Sequence, residues 1–359
     1  VLYLYYTGNV LYDGDYDYVL DGREGNTLRG VSTDGRHVLE KDLLLTPSDY
    51  PSDCSRHVRD PKVFIQDGIW HMVLGARTKE GRGIVLRYQS MDGQNWRYSG
   101  RIETKTSFGY MWECPDLFSL EGREYLSFCP QGLESEEYRY QNVYQSGYAP
   151  LKENEPGPFT EWDMGFDFYA PQTFVMPDGR RLLIGWMGMG DAEYTNPTVA
   201  RGWQHCLTVP RELSVSETGK IRQMPFREWR GLCGNAAVLG ERSDVSTPFA
   251  LEGESRGDFS VTLARHLHLC YEQEKGLLRL YFTDGELGGG RGERRVCLPR
   301  CDKALMLADS TSLEIYLNDG ETVLSTRYYP QDGPISVEAR GLQGQIWPMG
   351  GIEVKKLGT

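Results

Sequence analysis

Two acids at or just before an X-Pro step are the positions in this chain whose type and spacing could do chemistry. Glu113 lies in Met111-Trp112-Glu113-Cys114-Pro115-Asp116-Leu117-Phe118, and Asp60 in Arg59-Asp60-Pro61-Lys62-Val63-Phe64. Each acid leads into a strand-like apolar pair, and the two are expected to start equivalent positions in consecutive structural units. Folding would then bring them to one central site. Paired carboxylates in different surroundings are the chemistry of glycoside hydrolysis: one delivers a proton to the leaving oxygen, and another stays ionised as charge develops on the sugar.

A scaffold of short strands and tight turns would position them. Ile65-Gln66-Asp67-Gly68-Ile69-Trp70 is a turn followed by an apolar strand, repeated at Leu120-Glu121-Gly122-Arg123-Glu124-Tyr125 and at Pro177-Asp178-Gly179-Arg180-Arg181-Leu182. The turn glycines recur about every 55 residues, and units of that length holding about four strands are the signature of propeller blades. Val1 to Thr7 reads as the second half of another such hairpin. Ser32-Thr33-Asp34-Gly35 and Ser90-Met91-Asp92-Gly93 echo one another as outer hairpins. Helical periodicity is absent, with one turn at most over 39–45. The polar stretch 133–160 is expected to be strand plus surface loop. Beyond Gly202-Trp203-Gln204-His205 the texture changes. A connector at 223–230 leads to alternating strands at 259–263, 277–282, 313–317, 322–328 and 335–339, the pattern of a β-sandwich. The expected fold is all-β, with a propeller domain over 1–222 and a connector plus C-terminal sandwich over 223–359.

The bulk numbers exclude several classes. The formal charge of the 359 residues is −12, with no basic cluster, which argues against nucleic acid or an anionic membrane as partner. No apolar run approaches a membrane span. Tyrosine is abundant at 22, which suits strands and sugar-stacking sites alike. Eight cysteines show no paired framework and no histidine at metal-ligand spacing, so all are read as thiols, favouring a cytoplasmic location.

Taken in series, Arg59-Asp60-Pro61, Trp112-Glu113-Cys114-Pro115-Asp116, Asp167-Phe168-Tyr169-Ala170-Pro171-Gln172 and Gly202-Trp203-Gln204-His205-Cys206-Leu207-Thr208 resemble glycoside hydrolase family 32. That family holds the invertases, bacterial sucrose-6-phosphate hydrolases and levanases. The hairpin Ser312 to Glu321 is similar to its C-terminal domain, and the wording of the motifs is closer to the intracellular bacterial enzymes than to plant ones. The resemblance implies a five-bladed β-propeller with a central funnel, followed by a β-sandwich. It implies retaining hydrolysis of a β-fructosyl bond in sucrose, sucrose 6-phosphate or a fructan, with no cofactor and no metal. Glu113 matches the general acid/base, Asp60 the carboxylate that stabilises the transition state, and Arg59 an arginine of the sugar pocket. On this basis Trp112 should help to raise the Glu113 pKa by desolvation, and Arg59 should help to keep Asp60 ionised.

Secondary candidates open the next unit. Asp167, Tyr169 and Gln172 are expected to face the same funnel, with Asp163 competing for the role of Asp167. Trp186 suits a stacking platform and equally a blade core. Cys114 is expected to line the pocket without acting as a nucleophile. His57 and His205 read as hydrogen-bonded structural histidines, and Trp203 and Arg211 as packing residues.

One element of the family pattern is missing. Its nucleophile is an Asp in an Asn-Asp-Pro-Asn-Gly-type motif, and the sole Asp-Pro here is Asp60-Pro61. The expectation is an N-terminally truncated chain, lacking the first blade and part of the second, that is inactive as printed. A levan- or inulin-cleaving or fructosyl-transferring enzyme, an arabinan- or xylan-cleaving one, and a non-catalytic carbohydrate-binding propeller are the alternatives.

Overall fold

Turn chemistry sets the strand boundaries. Asp67-Gly68 and Glu121-Gly122 both carry positive φ at the two central positions (51° and 78°, 49° and 78°), as two-residue hairpins of the favoured twist require. In the computed structural model, which describes residues 1–351, strands account for nearly all of the regular structure. β1 (Leu2–Leu11), β2 (Arg23–Ser32) and β3 (Glu40–Leu45) form one antiparallel sheet. β4 (Cys54–Gln66), β5 (Ile69–Thr78), β6 (Gly83–Ser90) and β7 (Arg97–Ile102) form the next. β8 (Met111–Leu120), β9 (Arg123–Gln131) and β10 (Gly147–Lys152) begin a third.

The outer-hairpin echo has a common cause. Ser32 Oγ accepts the Gly35 N–H and Asp34 accepts those of Arg36 and His37; Ser90 and Asp92 do the same for Gly93, Gln94 and Asn95. These side chains replace backbone partners inside the turn, so the same pattern of residues gives the same reversal.

Contacts divide the chain into two compact units. The first is Val1–Glu134, Val143–Glu161 and Ala170–Thr173; the second is Ser135–Asn142, Trp162–Tyr169 and Phe174–Thr359. In the first, the middle sheet is buried on both faces. Met72, Leu74 and Ala76 of β5 pack with Leu45, Tyr50 and Val58, while Val73 between them packs with Trp112, Leu126 and Phe128. Alternation along one strand therefore serves two cores, which is why β5 reads as a continuous apolar run.

Residues 39–45 hold no helical turn, within the limit of one read from the sequence, since Glu40–Leu45 pairs with β2. One expectation changes here. The 133–160 stretch is not all surface: Tyr148, Ala149 and Leu151 of β10 are buried, because β10 adds to β9 and completes that face.

The second unit begins with strands Arg181–Met187, Arg211–Val215 and Ile221–Pro225, paired in that order. Two six-stranded antiparallel sheets follow. Their inner faces share one core, including Phe249, Leu251, Met306 and Ile315 from one sheet and Val261, Leu269, Leu280 and Val337 from the other. This is a β-sandwich. The sequence-derived strands at 259–263, 277–282, 313–317, 322–328 and 335–339 all lie in it. Contacts place Phe174 to Pro225 with the sandwich, whereas the sequence reading puts the domain boundary at 222. One side chain that ties them is Arg211, hydrogen-bonded to Glu314 and Ser325. Among the described residues no helix is long and apolar enough to cross a membrane.

Candidate active site

The acid-bearing strands share one local irregularity. In β4, Arg59 pairs with Gly75 and Lys62 with Val73; in β8, Glu113 pairs with Cys129 and Asp116 with Ser127. Each strand carries one residue more than its partner, a bulge that bends it and re-aims its side chains. The proline in each run has no N–H to give the ladder, and the residue before it takes positive φ: Asp60 at 62°, Cys114 at 49° and, in the third run, Ala170 at 49°. Arg59 is thus the counterpart of Glu113, and Asp60 that of Cys114. The two acids do not occupy equivalent positions, as the sequence suggested; they are offset by one residue.

The offset lets them meet. Arg59 Nε donates to Glu113 Oε1 at 2.8 Å, and Gln131 Nε2 donates to Glu113 Oε2 at 2.7 Å. Asp60 Oδ2 accepts the Cys114 N–H at 3.0 Å, and the Asp60 N–H donates to Thr7 Oγ1 at 2.9 Å. Gln172 Nε2 donates to the Cys114 carbonyl at 3.2 Å. Beneath them Asp116, 1 % exposed, accepts from the Thr173 N–H at 2.6 Å and from Lys62 Nζ at 3.3 Å. The Arg59 and Glu113 side chains are 15 % and 16 % exposed, low enough to be largely desolvated yet open to a ligand.

Gly75 makes this approach possible. A Cβ there would stand 2.2 Å from the Trp112 carbonyl oxygen and 3.2 Å from Glu113 Cα, and backbone cannot yield as a side chain can. Gly75→Ala is expected to cost about 3 kcal/mol by overpacking and to push β8 away from Arg59. Urea denaturation and sugar titration of the variant would measure both effects.

The surroundings of the two acids bear out one expectation in direction and correct another. Burial pushes the Asp60 carboxyl up; the Cys114 N–H and then Arg59 pull it down, while Glu113 pushes it up again, and the net direction is upward. Arg59 spends its hydrogen bonds on Glu113 and on His57 Nδ1 (2.9 Å), so it favours the ionised Asp60 through its charge alone, as expected, and burial outweighs it. Trp112 turns to the opposite face, its indole N–H on the Phe108 carbonyl, and packs in the core rather than against the Glu113 carboxylate.

The remaining candidates divide. The Cys114 thiol lies 3.6 Å from Asp60 Oδ2; Cys129 and burial push it well above the usual thiol range, which suits no nucleophile. Asp167 is not available to a sugar. It is 0 % exposed, and both oxygens are taken by Arg291 at 2.7 Å, with the Arg327 N–H added at 2.8 Å. Asp163, its competitor, is likewise buried, with Arg211 and Ser325. Tyr169 is buried. Trp186 is half-buried, its ring edge-on to His205 at 4.8 Å. Sequence reasoning missed Thr7, Lys62, Asp116 and Gln131. Aligning the three pre-proline positions would have flagged Lys62 and Asp116 as counterparts.

Residues 1–225 match the Glycosyl hydrolases family 32 N-terminal domain, and residues 305–347 match Glycosyl hydrolases family 32 C terminal. The chain belongs to glycoside hydrolase family 32. Among family 32 relatives, a sucrose-6-phosphate hydrolase of Bacillus subtilis is 38% identical over 94% of this chain and 73% of its own length. A raffinose invertase of Escherichia coli is 33% identical over 92% of this chain and 72% of its own length. The structure of a sucrose-6-phosphate hydrolase from Lactobacillus gasseri superposes with a TM-score of 0.85 at 26% identity, covering 97% of this chain and 76% of that one. The family's architecture, a β-propeller and a β-sandwich, accounts for the small stacked sheets and the two-sheet core described above. All eight cysteines are free.

Proposed function

We propose that this glycoside hydrolase is a β-fructofuranosidase of the sucrose or sucrose-6-phosphate type, with Glu113 as acid/base and Asp60 as the transition-state carboxylate. The observation that carries the reading is the meeting of Asp60, Arg59 and Glu113 in one partly open cluster. Glu113 Oε2 accepts from a neutral donor, Gln131, which a leaving oxygen can replace. Asp60 presents a half-buried carboxylate fixed by the Cys114 N–H, where bonds to fructosyl hydroxyls tighten as positive charge builds on the ring. Arg59, Gln172 and Cys114 border the two acids. Bacterial relatives named sucrose-6-phosphate hydrolases support the substrate class. Unpaired cysteines support a cytoplasmic location.

A retaining mechanism also needs a carboxylate nucleophile, and the one Asp-Pro motif of the 359 residues is already assigned to Asp60. The test is fructose release from sucrose 6-phosphate, sucrose and inulin. Residues 1–359 alone are expected to release none. Joined to a segment that supplies the nucleophile, they are expected to cleave sucrose 6-phosphate and sucrose faster than inulin. Inulin as the better substrate would move the assignment to fructan hydrolysis, and turnover by 1–359 alone would overturn the requirement for a further carboxylate.

A further inference from the structure

Beside the Glu113 cluster, and outside the roles given above, stands a group of cations without counter-charges. Arg59 reaches from Glu113 to His57 Nδ1, and Arg23 Nη1 lies 3.5 Å from that same nitrogen. Guanidinium groups only donate, so Nδ1 is the acceptor and the imidazole proton sits on Nε2, leaving a further donor. Arg23 is held by a neutral partner, Asn9 Oδ1, at 2.9 Å. Arg77 lies over the Tyr110 ring at 4.8 Å, and its Nε is buried without a hydrogen-bond partner. Neither Arg23 nor Arg77 has an ion-pair partner among the described residues. Val58 pairs with Ala76 across β4 and β5, which sets Arg77 beside His57 on the neighbouring strand, and burial and then Arg59, Arg23 and Arg77 hold the His57 pKa down to about 4. The acids that face it are Glu113, already paired with Arg59, and Asp17, whose carboxylate accepts the Val19 N–H.

Half-buried guanidiniums with no carboxylate are costly to keep. Their fork of donors fits the oxygens of a phosphate monoester. We propose that Arg23, His57 and Arg77 form a phosphate-binding subsite that recognises the phosphorylated end of the substrate's leaving group. The inference rests on the β-fructofuranosidase reading and deepens it. One guanidinium, that of Arg59, bridges Glu113, which protonates the leaving oxygen, and His57, so a leaving sugar over Glu113 extends its far end toward this collar of Arg23, His57 and Arg77. Plain sucrose would leave these cations unsatisfied, which makes the collar a discriminator as well as an anchor.

The test is calorimetric titration of the 359-residue chain with sucrose 6-phosphate, sucrose and inorganic phosphate. The wild type is expected to favour the phosphorylated sugar. Arg23→Ala and Arg77→Ala are each expected to lower the ratio of the two sugar affinities roughly tenfold, the worth of one charge-assisted contact, and Arg77→Lys to restore part of it. Inorganic phosphate should displace sucrose 6-phosphate but not sucrose. Phosphate that binds as tightly as the phosphosugar would mean an anion site independent of substrate and would overturn the assignment. A wild-type preference that survives both alanine variants would overturn the collar alone and leave the fructosidase reading in place. So would a wild type that binds sucrose with no preference for its phosphate. Binding of neither sugar would remove both.

Discussion

Replacing Glu113 with Gln lowers the turnover of sucrose 6-phosphate by roughly 10²–10⁴-fold in a chain supplied with a carboxylate nucleophile, the usual worth of a positioned acid/base. The substitution is chosen because the surroundings tolerate it. Arg59 still donates to the amide oxygen, and the Gln131 amide can flip to present its oxygen to the new NH₂ group. Folding and KM should therefore stay near the wild type while kcat falls. Two readouts separate loss of proton transfer from simple damage. A fructoside whose leaving group departs without protonation should regain the first step, and added azide, which needs no base to attack, should regain the second. A variant that keeps more than about a tenth of wild-type turnover would remove Glu113 from the acid/base role.

The site was legible in proportion to how far its parts depend on residue type alone. Asp60 and Glu113 announce themselves because an acid one or two residues before a proline in a strand is unusual, and Arg59 is adjacent to one of them. Gln131 and Thr7 do not, because their places follow from register, and the bulge between Glu113 and Asp116 shifts that register by one. Asp167 looks like a further pocket acid from its place before Tyr169 and Pro171. Its true partner, Arg291, lies 124 positions further on, where no local pattern can point to it.

The fold shows the same dependence. Strands such as 259–263 and 335–339 alternate cleanly and are bounded by turns, so period alone finds them. Phe249–Glu254 and Lys303–Ala308 lie in the same sandwich, and sequence reasoning missed both. Lys303–Ala308 is buried at five successive positions and shows no alternation, since one face meets the core and the other meets Trp229 and its neighbours. Tight hairpin turns were the more reliable signal, because Asp-Gly chemistry acts through the backbone and needs no tertiary partner.

The largest stability effect is expected at Arg211. Its side chain is 0 % exposed and donates to Glu314 at 2.9 Å, Asp163 at 3.1 Å, Ser325 at 2.7 Å and Gln223 at 3.0 Å, with the Phe168 ring at 4.7 Å. Arg211→Met keeps much of the volume and leaves two buried carboxylates without a cation, which should cost about 3–5 kcal/mol. The penalty should depend on pH in a direction opposite to ordinary carboxylates. Burial already raises the Asp163 pKa, and Arg211 is the strongest influence pulling it down. Without Arg211 the raised value rises further, so the folded variant binds a proton that the unfolded chain does not. Its stability is then fully present below the usual carboxylate range and is lost as pH rises through the raised value. Denaturant melts should show the variant gaining on the wild type from pH 7 toward pH 5. The triple variant Arg211→Met, Asp163→Asn, Glu314→Gln should recover most of the loss at neutral pH. The amide oxygen that replaces the Asp163 carboxylate can still accept from the Gly165 and Ser325 N–H groups, and the one that replaces the Glu314 carboxylate from that of Val209. A single variant within about 1 kcal/mol of the wild type at pH 7, or one whose stability falls on acidification, would mean that these carboxylates do not depend on Arg211 for their charge.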